Sequence, residues 1–206
     1  MNSGTSRDVE RSVRLPEAAG PQLLRMITVM EAAYQGEQGR YCFPAVATAA
    51  RLVKLHVPGL RTRALAVRPA AVVDWVHQDV MGIDLMIQPG RENVPAHVVL
   101  EMTDRKRRQK VFDVAGSQFA MATGLPLPPM DVLLPASTSG NGLPEIADLV
   151  GNVDDRYAMA YALTPERQML AEVICSRSHV RGLAEALFRD ERGPIDIAIP
   201  AMVGWK

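Results

Sequence analysis

Pro44 restricts what this chain can fold into more than any other residue. Proline lacks an amide hydrogen and its ring collides with the preceding turn, so a helix accepts it only in the first turn. The run that holds it, CFPAVATAARLVKLHV, continues with Ala45, Ala47, Ala49 and Ala50. These are strong helix formers, and their small side chains let neighbouring elements approach closely. Pro58-Gly59 then ends the helix. Cys42 therefore falls at or just before a helix start, where unpaired N–H groups and the positive end of the helix dipole favour an anion. With an imidazolium beside it, a thiol so placed can have its pKa lowered from about 8.5 to as low as ~3.5.

A second local constraint comes from VPAHVVLEM (94–102) and RQKVFDVAG (108–116), two strand-like runs separated by the polar segment TDRKR (103–107). Together they read as an antiparallel hairpin. Opposed residues in a symmetric hairpin share a constant index sum. A loop centred on residue 105 makes that sum 210, which pairs His97 directly with Asp113. Their Cβ atoms are then expected about 4.5–5.5 Å apart on one face. A carboxylate in that position binds one ring nitrogen, fixes the tautomer and leaves the other nitrogen for a nucleophile. Cys42, His97 and Asp113 thus form the candidate catalytic set. The thiolate would attack an amide, ester or thioester carbonyl; His97 would protonate the leaving group and then activate water or an amine. The Cys42 N–H, with the side chain of Gln38 or Tyr41, would hold the oxyanion.

The rest of the chain is organised around this centre. Its 206 residues suffice for one domain with a sizeable core. Residues 1–20 read as a polar arm and 21–206 as the domain. The domain has a core at about 36–120, a long loop at 124–152 and a C-terminal helical and strand extension at 153–206. QLLRMITVMEAAY (22–34) has helical spacing at Leu23, Leu24, Ile27, Met30, Ala33 and Tyr34. LRTRALAVR (60–68) reads as a strand, and AAVVDWVHQDVMG (70–82) as a short helix. The stretch 124–152, rich in Pro, Gly and Ser, reads as an irregular excursion with a helical turn at 144–150. YAMAYAL (157–163) is strand-like. Thr164 is placed to cap a helix with Pro165 in its first turn, ending near Cys175. VRGLAEALFRDE reads as another helix and IDIAI (195–199) as a last strand.

Composition excludes several classes. Lys and Arg total 23, and so do Asp and Glu, so formal net charge is zero, which argues against a general nucleic-acid binder. The run Arg105 to Arg108 is then read as a solvated hairpin tip. Two cysteines are too few for a disulfide framework, and Cys175 is assigned to the core. His77 and His179 lack ligand-like spacing, so neither a zinc site nor any cofactor is expected. No run resembles a signal sequence or approaches the roughly 20 apolar residues of a membrane span. The expectation is a cytoplasmic protein with free thiols and no membrane partner.

A cysteine heading an Ala-rich helix, a Pro-Gly break, the strand cadence RTRALAV, then AHVVLEM and VFDVAGSQF together resemble the core of the transglutaminase-like branch of the papain-like superfamily. Arylamine N-acetyltransferases are related to that core. The resemblance covers roughly residues 36–120. It implies the catalytic order Cys42, His97, Asp113, and an α+β, papain-like fold with the cysteine helix packed on an antiparallel sheet. It also implies thiol-dependent hydrolysis or acyl transfer at an amide-type bond, as in a peptidase, deamidase or transglutaminase. Expected partners are a protein or peptide substrate, or a small acyl donor and acceptor. The alternatives are a non-catalytic protein-interaction module on the same fold, with 124–152 as its contact surface, and a small-molecule N-acyltransferase using an acyl thioester.

Overall fold

A computed structural model describes residues 42–56, 59–82, 97–119, 124, 131–138 and 143–177. The arm at 1–20, the helix at 22–34, Gln38, Tyr41, His179, the helix in VRGLAEALFRDE and the strand at 195–199 lie outside the described residues.

Helix α1 spans Cys42–His56. Cys42 is its first residue and Pro44 lies in its first turn, as the missing amide hydrogen requires. Beyond it Gly59 takes φ +104°, the left-handed conformation glycine adopts without penalty. The chain then enters β1, Arg61–Asp74, which is 14 residues long. Residues 70–82 are therefore not a helix. They finish β1, turn at 75–78 and return as β2, Asp79–Gly82. The Asp74 carboxylate accepts from the Val76 and His77 N–H groups at 3.0 and 3.1 Å, and Gln78 sits at φ 54°. These interactions make a tight turn out of a segment whose apolar residues do not alternate cleanly.

Strands β3 (His97–Thr103) and β4 (Gln109–Asp113) form the expected hairpin. The region 124–152 is not a loop: it contributes β5, Asp131–Pro135, and β6, Leu149–Asn152, with short 3-10 turns at 136–138 and 143–145. Strand β7 runs Tyr157–Leu163. Thr164 does not cap a helix through its side chain. Its N–H donates to the Ala66 carbonyl at 3.1 Å, a 3-10 turn follows at Pro165–Arg167, and α2 covers Gln168–Cys175.

The order β1-β3-β4-β5-β6-β7, antiparallel throughout, is closed by pairing β7 back onto β1. The architecture is a closed six-stranded antiparallel barrel with one extra strand, β2, and two short helices among the described residues. This corrects the α+β, papain-like expectation. Two features produce closure. β1 is long enough to serve both seams, pairing β3 through 61–67 and β7 through 67–74. A bulge between Pro69 and Ala71 bends it, at a site where proline's missing donor is tolerated.

The barrel interior draws on all six strands: Val67 and Val72, Val99, Val111, Leu133, Leu149, Met159 and Tyr161 pack together. A second cluster fastens α1 to the outside of β1 and β3, with Ala45, Val46, Ala49 and Val53 against Ala66, Val98, Leu100 and Met102. The small side chains on the inner face of α1, Ala45 and Ala49, allow this close packing. No helix among the described residues is long and apolar enough to cross a membrane.

Candidate functional site

His97 opens β3 and Asp113 closes β4. Strand alternation aims both inward, His97 with Val99 and Asp113 with Val111. Asp113 accepts from His97 Nε2 at 2.9 and 3.0 Å, from the Tyr161 hydroxyl at 2.8 Å and from the Ala115 N–H at 3.0 Å. A buried carboxylate needs such a set of donors to offset its lost hydration. The His97 ring is also held edge-on by Phe119, 4.8 Å between centroids.

The hairpin register differs from the direct pairing of His97 with Asp113. Leu100 faces Phe112 and Thr103 faces Gln109, an index sum of 212. The cause is the turn chemistry of Asp104. Its carbonyl accepts from the Arg107 N–H at 3.0 Å, and its own N–H donates to the Arg108 carbonyl at 3.0 Å. Its carboxylate accepts from the Lys106 and Arg108 N–H groups at 2.8 and 2.9 Å. Arg107 takes φ 61°. The result is a three-residue loop, a type I turn followed by a left-handed residue, centred on 106. A shift of two in the index sum preserves side-chain parity. His97 and Asp113 still share a face, but diagonally, a separation that an imidazole and a carboxylate bridge.

Cys42 arrives from α1. It is fully buried, like His97 and Asp113, and it lies close enough to His97 for its thiol to help raise the pKa of the ring. The structure thus brings together all three residues singled out in the sequence. Burial alone would push the His97 pKa down. The charge and hydrogen bond of Asp113, and then those of Cys42, outweigh it and raise His97 to about 10.

The second thiol is different. Cys175, near the end of α2, is half-buried, and its Sγ donates to the Phe43 carbonyl at 3.9 Å. Burial, and then the charges of Cys42 and Glu172, push it up to about 12. It lies beside the residue that follows Cys42, packed against the same cluster, so it is not remote from the site.

Tyr161 was not singled out from sequence. The available signal was its place in the strand run YAMAYAL, since a buried tyrosine hydroxyl requires a polar partner. Which partner depends on barrel closure, which local sequence does not announce. Gln38 and Tyr41, the side chains suggested for the oxyanion, lie outside the described residues. Among the described residues no group of three or more His, Cys, Asp or Glu is placed to hold a metal ion. Comparison with protein-family models, curated proteins and solved structures returns no match.

Proposed function

We propose that this protein carries out thiol-dependent hydrolysis or acyl transfer at an amide-type bond, with Cys42 as nucleophile, His97 as proton carrier and Asp113 as the group that orients His97. The observation supporting this reading is the burial of Cys42 beside a His97 that is itself hydrogen-bonded to Asp113.

In the proposed reaction the Cys42 sulfur attacks the carbonyl carbon as the partner of a His97 imidazolium. The C–N bond then breaks, the leaving amine takes its proton from His97, and the acyl group remains on sulfur as a thioester. Water or an acceptor amine, losing a proton to His97, attacks that thioester and regenerates the thiol. Asp113, held by Tyr161 and Ala115, keeps the ring in one orientation throughout. The first turn of α1 offers backbone N–H groups to the developing oxyanion, Pro44 excepted. A reducing compartment keeps the thiol available.

A specific observation favours a second reading: Cys42, His97 and Asp113 have no solvent exposure. Buried ion-paired networks also occur as purely structural features. The discriminating experiment is iodoacetamide labelling at about pH 6, mapped by peptide mass, where ordinary thiols are almost wholly protonated and slow. Preferential labelling of Cys42 over Cys175, slowed by His97→Ala in a folded variant, supports the catalytic reading. Equal, sluggish labelling of both thiols supports the structural one.

A further inference from the structure

The chain as a whole is electrically balanced, yet one groove in it is not. About 1010 Å³ in volume, it lies between α1, α2 and the ends of β1 and β3 away from His97. Its apolar floor includes Val46, Ala50 and Ala64, and its walls carry Arg51, Lys54, Arg61 and Arg63 against only Glu101 and Glu172. Arg51, Lys54 and Arg61 make no ion pair among the described residues.

Arg63 is fixed in place. Its Nε donates to Glu101 Oε2 at 2.9 Å, and Nη2 makes a second, shorter bond to the same oxygen. Glu101 is itself nearly buried and is steadied by Gln109 Nε2 at 3.1 Å. That leaves Nη1 of a rigid guanidinium without a partner among the described residues. A guanidinium held still by a buried carboxylate loses little side-chain entropy on gaining an anionic partner. Three further cations around a concave apolar floor raise the local potential well above what a flat surface would give.

We infer that this groove binds a small anionic molecule with an apolar portion, its carboxylate, sulfonate or phosphate group seated among Arg51, Arg61 and Arg63. The site is independent of any chemistry at Cys42. It does approach the candidate centre, because Cys175 lines the groove and donates to the Phe43 carbonyl. Arg51 lies nine residues along α1 from Cys42, roughly 13 Å at 1.5 Å per residue.

The test is fluorescence titration of the full chain with 8-anilinonaphthalene-1-sulfonate, a probe with one anionic group on an apolar body. The expected result is saturable, one-site binding. It should weaken at least about tenfold in Arg51→Glu/Arg61→Glu, because each substitution replaces attraction by repulsion at contact distance. Arg68→Glu, an exposed position outside the groove, serves as the control for general electrostatics, and circular dichroism verifies that each variant is folded. The inference is overturned by non-saturable binding, by a smaller than tenfold loss in the folded double variant, or by an equal loss in Arg68→Glu. Cys42→Ala should leave binding unchanged, so failure here and failure of the proposed catalysis are read separately.

Discussion

Replacing Asp113 by Asn removes one negative charge from the barrel interior with little change in shape, and its effect can be worked out from the geometry. In the folded chain His97 is held at about 10 against 6.5 for the free side chain, with Asp113 as the leading cause of the rise. A group whose folded pKa is raised contributes stability that is complete below its unfolded pKa and is lost as pH climbs through the folded one. The native state therefore binds more protons than the unfolded state between pH 6.5 and about 10, and stability falls with pH across that window. At pH 7 the linkage is worth roughly 4 kcal/mol, an upper bound that agrees with the ~3–5 kcal/mol typical of removing one partner of a buried pair. Asp113→Asn should thus lose about 3 kcal/mol near neutrality, and the gap to wild type should narrow steadily from about pH 6.5 to about pH 10, where folded wild-type His97 still holds a proton that the unfolded chain has lost. The assay is urea denaturation of both proteins at several pH values, comparing the difference between them so that other titrating groups cancel. A gap below about 1 kcal/mol at pH 7, or one that does not change with pH, would refute the claim that a charged His97–Asp113 pair sits in this core.

Two further outcomes follow from the same coordinates. Tyr161→Phe deletes a hydroxyl that donates to a buried carboxylate; a loss of about 1.5–3 kcal/mol in denaturation is expected, as for hydrogen bonds to charged groups. Arg107→Gly relieves a non-glycine residue at φ 61° and should raise stability by up to about 1 kcal/mol, less the extra freedom glycine gives the unfolded chain. A melting-temperature increase checks the second, and a decrease would contradict the reading of the Asp104 turn.

What could be read from the sequence was what local rules govern. Pro44 sets the start of α1, and Cys42 sits at its head. Strand parity put His97 and Asp113 on one face even though the turn centre was misplaced by one residue, because a period of two survives an even shift in pairing. The Asp104 turn was missed because its three-residue form needs a left-handed residue, and here that residue is Arg107, not the usual glycine. The helix expected at 70–82 failed because β1 is buried on both faces at Ala71, Val72 and Val73, which erases the alternation that marks a strand. Strands β5 and β6 are five and four residues long within Pro- and Gly-rich sequence, and composition concealed them. Closure by β1 and β7 pairs residues about 90 positions apart, and no local pattern encodes such a contact. The fold class was lost there, and with it the partner that Tyr161 supplies to Asp113.

The central claim, that Cys42 is a nucleophile served by His97, is met most directly by trapping its product. The protein is incubated with p-nitrophenyl acetate, a small activated ester, and the adduct is mapped by peptide mass under conditions that preserve thioesters. The account predicts an acetyl group on Cys42, formed more slowly or not at all in folded His97→Ala, with Cys175 unmodified. No acetylation of Cys42, or acetylation at the same rate without the imidazole, would contradict it.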